Sequence, residues 1–266
     1  MAKSKAKMQK TVAFAIGCHP DDIEFGMAGT LLLLGRAGCE IHYMNVANGC
    51  YGSATMTKQQ TANVRTQEAR EAAAVLGAVY HEPIVDDLNV FYTQELIMRL
   101  CAVVRQVNPQ ILLVHSPQDY MEDHQNTCRL AVSAAFCRNI PNYPVDPPVP
   151  TVDSHVALYH AMPVDLTDQL RNPIQPDLFV NIASVLSQVR QALACHRSQK
   201  EWLDTTQGMD SYLDAMVAMA TTVGKMSGRF QHAEGWRRHS ARGFGPDDFD
   251  PLSEALGEQV VRRVTG

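Results

Sequence analysis

The sequence predicts an α/β fold built on a mostly parallel sheet, and three observations predict it. Short β-branched runs alternate with longer helical patterns over about the first 140 residues, the signature of βαβ units. The chain has 266 residues, 45% of them hydrophobic and 19% charged, which is enough apolar material for one full core in a single domain spanning 1–266. After about residue 140 the pattern changes: a proline-dense connector over 141–150 leads to strands and helices that read as an extension of the same sheet plus a C-terminal cap.

Val12 to Cys18 is an apolar run and reads as the first strand. Ile23, Met27, Leu31 and Leu34 follow at helical spacing, and the helix stops at Gly35 or Gly38. Ile41 to Val46 is the second strand, ending in the turn-rich Asn48-Gly49-Cys50-Tyr51-Gly52-Ser53. An Ala-, Glu- and Arg-rich helix runs from about Gln59 to Leu76 and is closed by Gly77. A third strand falls near Ala78 to Val85, a helix over about Thr93 to Val107, a fourth strand at Ile111 to His115, and a helix from near Asp123 to Asn139. Beyond the prolines, strands are expected at Val156 to Ala161 and Leu178 to Ile182. Helices are expected over about Ser184 to Leu203 and Met209 to Met226.

The formal charge of −5 argues against a surface that neutralises nucleic-acid phosphates, so a small neutral or polar substrate fits better. Apolar runs such as Leu31 to Leu34 fall far short of the ~20 residues a membrane span needs. Lys3, Lys5, Lys7 and Lys10 precede a strand, not the core of a secretory signal, and read as a frayed, solvated start over 1–10. Seven cysteines without a Cys-x-x-Cys pair signal neither a disulfide framework nor a thiolate metal site; reduced thiols in a cytoplasm are the plain expectation.

In an open parallel sheet, ligands collect at the carboxyl ends of strands. His19-Pro20-Asp21-Asp22 stands at the first such end. Proline pushes His19 toward extended geometry, and two neighbouring carboxylates cannot easily point the same way. A metal could therefore take His19 and one aspartate while the other remains free as a base. Against this, Asp21 with Glu24 three residues on is a capping-box-like helix start, which accounts for a single acid but not for His19 or the doubled carboxylate. A third ligand is expected from the end of the fourth strand, where His115 and His124 are the candidates. His115 abuts an apolar strand and suits a hydrogen-bonded wall, whereas His124 opens a helix over the sheet edge.

His19-Pro20-Asp21-Asp22 after a first strand, followed later by Asp123-His124-Gln125-Asn126, resembles the LmbE-like, PIG-L deacetylase family. Asn48-Gly49 with Gly52, Arg65 with Glu68, His196-Arg197-Ser198-Gln199 and Ala233-Glu234 are similar to further segments of that family, in the same order. The resemblance implies a Rossmann-like three-layer sandwich and a zinc-dependent N-acetylglucosaminyl deacetylase. Zinc would be held by His19, Asp22 and His124, with Asp21 as general base on a zinc-bound water. It also implies Arg65, Asn48 and Asp119 as substrate contacts, an N-acetylated sugar as substrate, and a homo-oligomer such as a hexamer.

One position departs from the family pattern, which reads His-x-Asp-His where this chain has Met121-Glu122-Asp123-His124. A thioether supplies neither the proton nor the charge expected of an oxyanion partner. Tyr120 and His196 are the candidates to take that catalytic role. By position alone, Arg65 and Glu68 would form a solvated i,i+3 ion pair, and His196 would be a satisfied core residue in register with Val185, Val189 and Leu193. The competing functional class is a sugar- or metal-binding protein that lost turnover through Met121. A nucleotide-binding dehydrogenase is disfavoured because His-Pro-Asp-Asp stands where a Gly-x-Gly-x-x-Gly cradle would be needed.

Overall fold

The computed structural model describes residues 10–200, 203 and 212–263. Five strands, β1 (Val12–Gly17), β2 (Glu40–Asn45), β3 (Val79–His81), β4 (Ile111–Val114) and β5 (Ala157–Ala161), pair in parallel. Three more, β6 (Leu178–Asn181), β7 (Ala233–Arg238) and β8 (Val260–Arg262), add antiparallel to give the order β3-β2-β1-β4-β5-β7-β6-β8. The chain crosses from one side of β1 to the other when it reaches β4. The loops leaving β1 and β4 therefore emerge side by side at the carboxyl edge, where an open sheet offers a crevice.

Helices cover both faces, which is why β1 and β4 are buried on both sides and read as continuous apolar runs. On one face lie α1 (Asp22–Gly26), α2 (Ala28–Arg36) and α3 (Lys58–Leu76); on the other lie α4 (Gln94–Val107) and α5 (Glu122–Cys137). α6 (Leu186–Leu193), α7 (Tyr212–Met226) and α8 (Pro251–Leu256) return to the first face. The starts of α3 and α4 are as the sequence indicates. Thr57 and Gln60 form a capping box, Thr93 accepts from the Leu96 amide, and Gly77 closes α3 in the left-handed conformation. The proline connector is packed, not loose: Tyr143, Val145 and Val149 join the α4–α5 core, and the Arg105 guanidinium binds the carbonyls of Arg138, Val149 and Ile140. No helix among the described residues is long and apolar enough to cross a membrane.

Four expectations are corrected. The single helix after β1 is two, broken at Met27, and the new N-terminus of α2 is capped from afar: Glu234 accepts from the amides of Gly29 and Thr30, each at 2.7 Å. Gly29 permits that approach, because a Cβ there would lie 2.5 Å from Ile182 Cγ2 and 2.9 Å from Glu234 Oε1. The third strand shrinks from Ala78–Val85 to Val79–His81, with only an isolated bridge between Ala47 and Val85 beyond it. The helix expected through Leu203 ends at Leu193 and resumes at residue 197, so His196 turns inward at the break. Strands β7 and β8 were not foreseen; Ala-Glu-Gly-Trp-Arg-Arg carries no β-branched residue and no clean alternation. Lys3, Lys5, Lys7 and Met209 lie outside the described residues.

The long-range cap gives a first expected result. Glu234 is buried with two backbone donors, and an amide can satisfy only one of them. Glu234→Gln should cost ~1–3 kcal/mol, read as a lower urea midpoint at unchanged slope. An unaltered midpoint would remove this cap from the account of the fold.

Candidate metal centre and its pocket

The loop after β1 is folded on itself by Asp22. Its Oδ2 accepts from the His19 amide at 2.7 Å and the Cys18 amide at 3.2 Å, while Asn45 Nδ2 donates to the His19 carbonyl at 2.6 Å. Asp21 occupies the N-cap position of α1, yet its side chain makes no capping bond, and its φ of 116° is left-handed, uncommon for a residue with a Cβ. The capping explanation of this carboxylate is thereby set aside. Its Oδ2 accepts instead from the Tyr212 hydroxyl at 2.5 Å.

His19, Asp22 and His124 each present a ligand atom, and these atoms lie within 4.8 Å of one another. His19 Nδ1 is 3.6 Å from Asp22 Oδ2, and His124 Nε2 is 3.4 Å from Asp22 Oδ1. The other nitrogen of each imidazole meets a different carboxylate: His19 Nε2 to Asp123 Oδ2 at 3.1 Å, and His124 Nδ1 to Asp119 Oδ1 at 3.0 Å. Such outer carboxylates fix the tautomer and aim of ligand imidazoles. Two nitrogens and one oxygen, buried, braced and opening on a cavity, fit a catalytic divalent cation such as zinc.

Two other triads occur among the described residues, Cys18–His19–Asp123 and His115–Asp119–His124. They are poorer cages, since Cys18, Asp123, His115 and Asp119 do not line the cavity. Burial also pushes the Cys18 thiol up to about 11, so no thiolate is at hand. His115 is the wall residue its strand suggests: its Nε2 accepts from the Cys18 amide at 2.9 Å while its ring stacks on His124 at 4.4 Å. That accepting nitrogen is unprotonated, so its 3.2 Å approach to Asp22 is not an ion pair. Burial and the neighbouring His124 accordingly lower its pKa.

Burial opposes charge on His19, but the carboxylates of Asp123 and Asp22 beside it hold it well above its ordinary value. Burial likewise opposes charge on Asp22, and His124 beside it holds it well below the usual carboxylate range. In His124 the carboxylates of Asp22 and Asp119 overcome the cost of burial and raise the pKa. Carboxylates thus surround both imidazoles, and a cation held there would displace their protons.

The cavity above the triad has a volume of about 370 Å³, within the size range of small-ligand sites. Asp21, Arg65, Tyr120, Met121, Gln199 and Tyr212 line it together with His19, Asp22 and His124. Arg65 is 3% exposed and binds the Pro20 carbonyl at 2.7 Å and the Gly49 carbonyl at 3.2 Å, with Asp21 Oδ1 at 3.7 Å. Gly49, at φ 75°, is required beside it, since a Cβ would stand 2.7 Å from Arg65 Cδ. The expected solvated pair with Glu68 does not form. Glu68 is buried and accepts from the amide and hydroxyl of Ser198, which fixes the segment carrying Gln199.

Three expected roles find other places. Asp119 is 1% exposed beneath His124 and outside the cavity, its carboxylate engaged with His124 Nδ1 at 3.0 Å. Asn48 is a loop organiser, donating to Asp86 at 2.6 Å and accepting from the Cys50 amide, and it too lies outside the lining. His196 is 1% exposed, 3.3 Å from the buried Glu24, and does not reach the cavity, which places it behind the site. Tyr120 does line the cavity, 59% exposed at its mouth and edge-on to His124 at 5.7 Å.

Sequence reasoning missed the bracing role of Asp123 and the presence of Tyr212. For Asp123 a signal existed, because a carboxylate adjacent to a ligand histidine is a natural outer partner for another. For Tyr212 there was none: it meets Asp21 across 191 positions.

Fold and site together define a Rossmann-like α/β domain carrying, at the point where strand order reverses, a two-histidine, one-aspartate cluster that could hold a cation. Residues 14–135 match the family model PIG-L: GlcNAc-PI de-N-acetylase. The chain is 27% identical to a diacetylchitobiose deacetylase of Thermococcus kodakarensis over 82% of this chain and 79% of that one. It is 25% identical to a 4-oxalmesaconate hydratase of Pseudomonas putida over 71% and 74% of the respective chains. An N,N'-diacetylchitobiose deacetylase structure from Pyrococcus horikoshii superposes with a TM-score of 0.72 at 22% identity, covering 91% of this chain and 88% of that one. Over residues 14–135 the chain is thus similar to the PIG-L family, and its deacetylase relatives extend the similarity over most of its length.

Proposed function

We propose that this chain is a zinc-dependent deacetylase that hydrolyses the acetamide of an N-acetylglucosamine-type sugar or conjugate, with Asp21 as general base. The observation that carries this reading is the divided pair of carboxylates. Asp22 faces two imidazoles, while Asp21, one residue earlier, neither caps its helix nor joins the triad and lines the cavity beside it. The deacetylases among the relatives and the family model support the reaction class.

His19, Asp22 and His124 would hold the zinc, which would supply a Lewis acid for the amide carbonyl and lower the pKa of water toward about 7. Asp21 accepts the proton of the attacking water as the C–O bond forms. It then returns that proton to the amide nitrogen as the C–N bond breaks, so acetate and a free amine leave. Burial raises the pKa of Asp21 above its ordinary value, which strengthens it as a base, and Arg65, 3.7 Å from Oδ1, opposes part of that rise. Tyr51 and Tyr120 on the cavity wall offer aromatic faces for a sugar ring. The seven free thiols support a cytoplasmic setting. Homo-oligomeric assembly is proposed by family analogy and is read directly from light scattering.

Acetate release by zinc-reconstituted protein from N-acetylglucosamine, N,N'-diacetylchitobiose and their conjugates tests the proposal. Saturable binding without acetate from any of them would overturn it in favour of a binding protein.

A second reading rests on Met121, a cavity-lining thioether with no proton to donate, and on the hydratase among the relatives. The same base and cation could add water to a carbon–carbon double bond. Loss of the substrate chromophore on incubation with 4-oxalmesaconate would favour it. Under the deacetylase reading, Met121→His should raise kcat for acetate release by about 10-fold or more with little change in KM, since a placed donor is worth ~3–4 kcal/mol at best. A fall in kcat would show that the thioether is part of the substrate fit.

A further inference from the structure

The carboxylate of Asp21 has little to orient it from its own surroundings in sequence. Its backbone is left-handed, it makes no bond to the start of α1, and Arg65 Nη2, already donating to the Pro20 carbonyl, stays 3.7 Å away. The close contact comes from the other end of the chain. Tyr212, the first residue of α7, is 2% exposed, packs its ring 5.9 Å from that of Phe25, and donates its hydroxyl to Asp21 Oδ2 at 2.5 Å. It lies outside residues 14–135, the stretch that matches the family model, so this device belongs to the C-terminal part of the chain.

We infer that Tyr212 is a positioning residue for Asp21: its phenol engages one carboxylate oxygen, fixes the plane of the group, and leaves Oδ1 to serve the substrate water. This rests on the reading of Asp21 as the base. A carboxylate on a strained backbone with a single well-placed donor has one rotational restraint, and removing it lets the group turn away from the reacting atoms. Misplacement of a reacting group by about 1 Å can cost ~100-fold. The arrangement also makes the base depend on the seating of α7, because the helix and the hydroxyl move together.

Tyr212→Phe, which keeps the ring and its packing on Phe25, tests the inference. With zinc-loaded protein and N,N'-diacetylchitobiose as probe, kcat should fall about 10- to 100-fold, with KM and zinc content unchanged. The Asp21→Asn/Tyr212→Phe double variant should fall no further than Asp21→Asn alone, since the two groups act as a unit. An unchanged kcat in Tyr212→Phe, or a double variant markedly worse than Asp21→Asn, would overturn the inference. Full activity in Asp21→Asn would instead overturn the base itself, a separate result. A measurement independent of turnover is the proton spectrum of the metal-free protein. A low-field hydroxyl resonance should be present, lost in Tyr212→Phe and moved upfield in Asp21→Asn. Its absence from the unaltered protein would show that the short contact does not exist.

Discussion

Asp21→Asn should lower kcat for acetate release by about 10²- to 10⁴-fold, the range for loss of a positioned general base, while the protein still takes up one zinc ion per chain. The two halves of this result have separate causes. Asp21 is no part of the triad that faces the cation site, so His19, Asp22 and His124 keep their bracing partners when it changes. An amide in its place has no basic lone pair to receive the proton from water. The substitution is nearly isosteric, and the Tyr212 hydroxyl can still donate to the amide oxygen, so the cavity keeps its shape. Metal content by elemental analysis and acetate release by a coupled assay separate the effects. A variant that kept its rate would remove Asp21 from the mechanism, and one that lost zinc would move Asp21 into the ligand set.

Asp22→Ala should abolish zinc uptake, with acetate release falling to background. Asp22 supplies the carboxylate between the two imidazoles, and it also receives the amides of Cys18 and His19, so its loss opens the loop that presents His19. Removing one acceptor from buried donors adds a stability penalty of ~1–3 kcal/mol. Thermal melts with and without zinc divide the two contributions. Ligand binding to the native state raises the melting temperature of the unaltered protein by mass action, and the variant should show a lower baseline and no rise. A variant that still rose with zinc would mean that the ion uses another cage, such as His115–Asp119–His124.

Much of this was legible in the sequence because it rests on local rules. A continuous apolar strand followed by His-Pro-Asp-Asp fixes where the imidazole emerges, and a parallel sheet dictates that the loop after β4 meets it, so His124 could be paired with His19 without coordinates. What stayed hidden depends on contacts between distant segments. The break at Met27 makes sense only once Glu234 arrives to cap α2. β7 is held between β5 and β6, not by its own propensity, and a strand of that composition carries little signal. Asp119 lies five residues before His124, where position suggests a substrate contact, although its carboxylate turns back under the imidazole. His196 sits in a helical stripe, but the helix breaks beside it and buries the ring against Glu24.

Anomalous scattering at the zinc edge from crystals grown with zinc measures the shared ion itself. One peak should appear, about 2.0–2.2 Å from His19 Nδ1, an Asp22 carboxylate oxygen and His124 Nε2, facing the cavity that Asp21 lines. A peak on the Cys18 or His115 side of the loop, or no peak in protein that hydrolyses acetamides, would contradict the account.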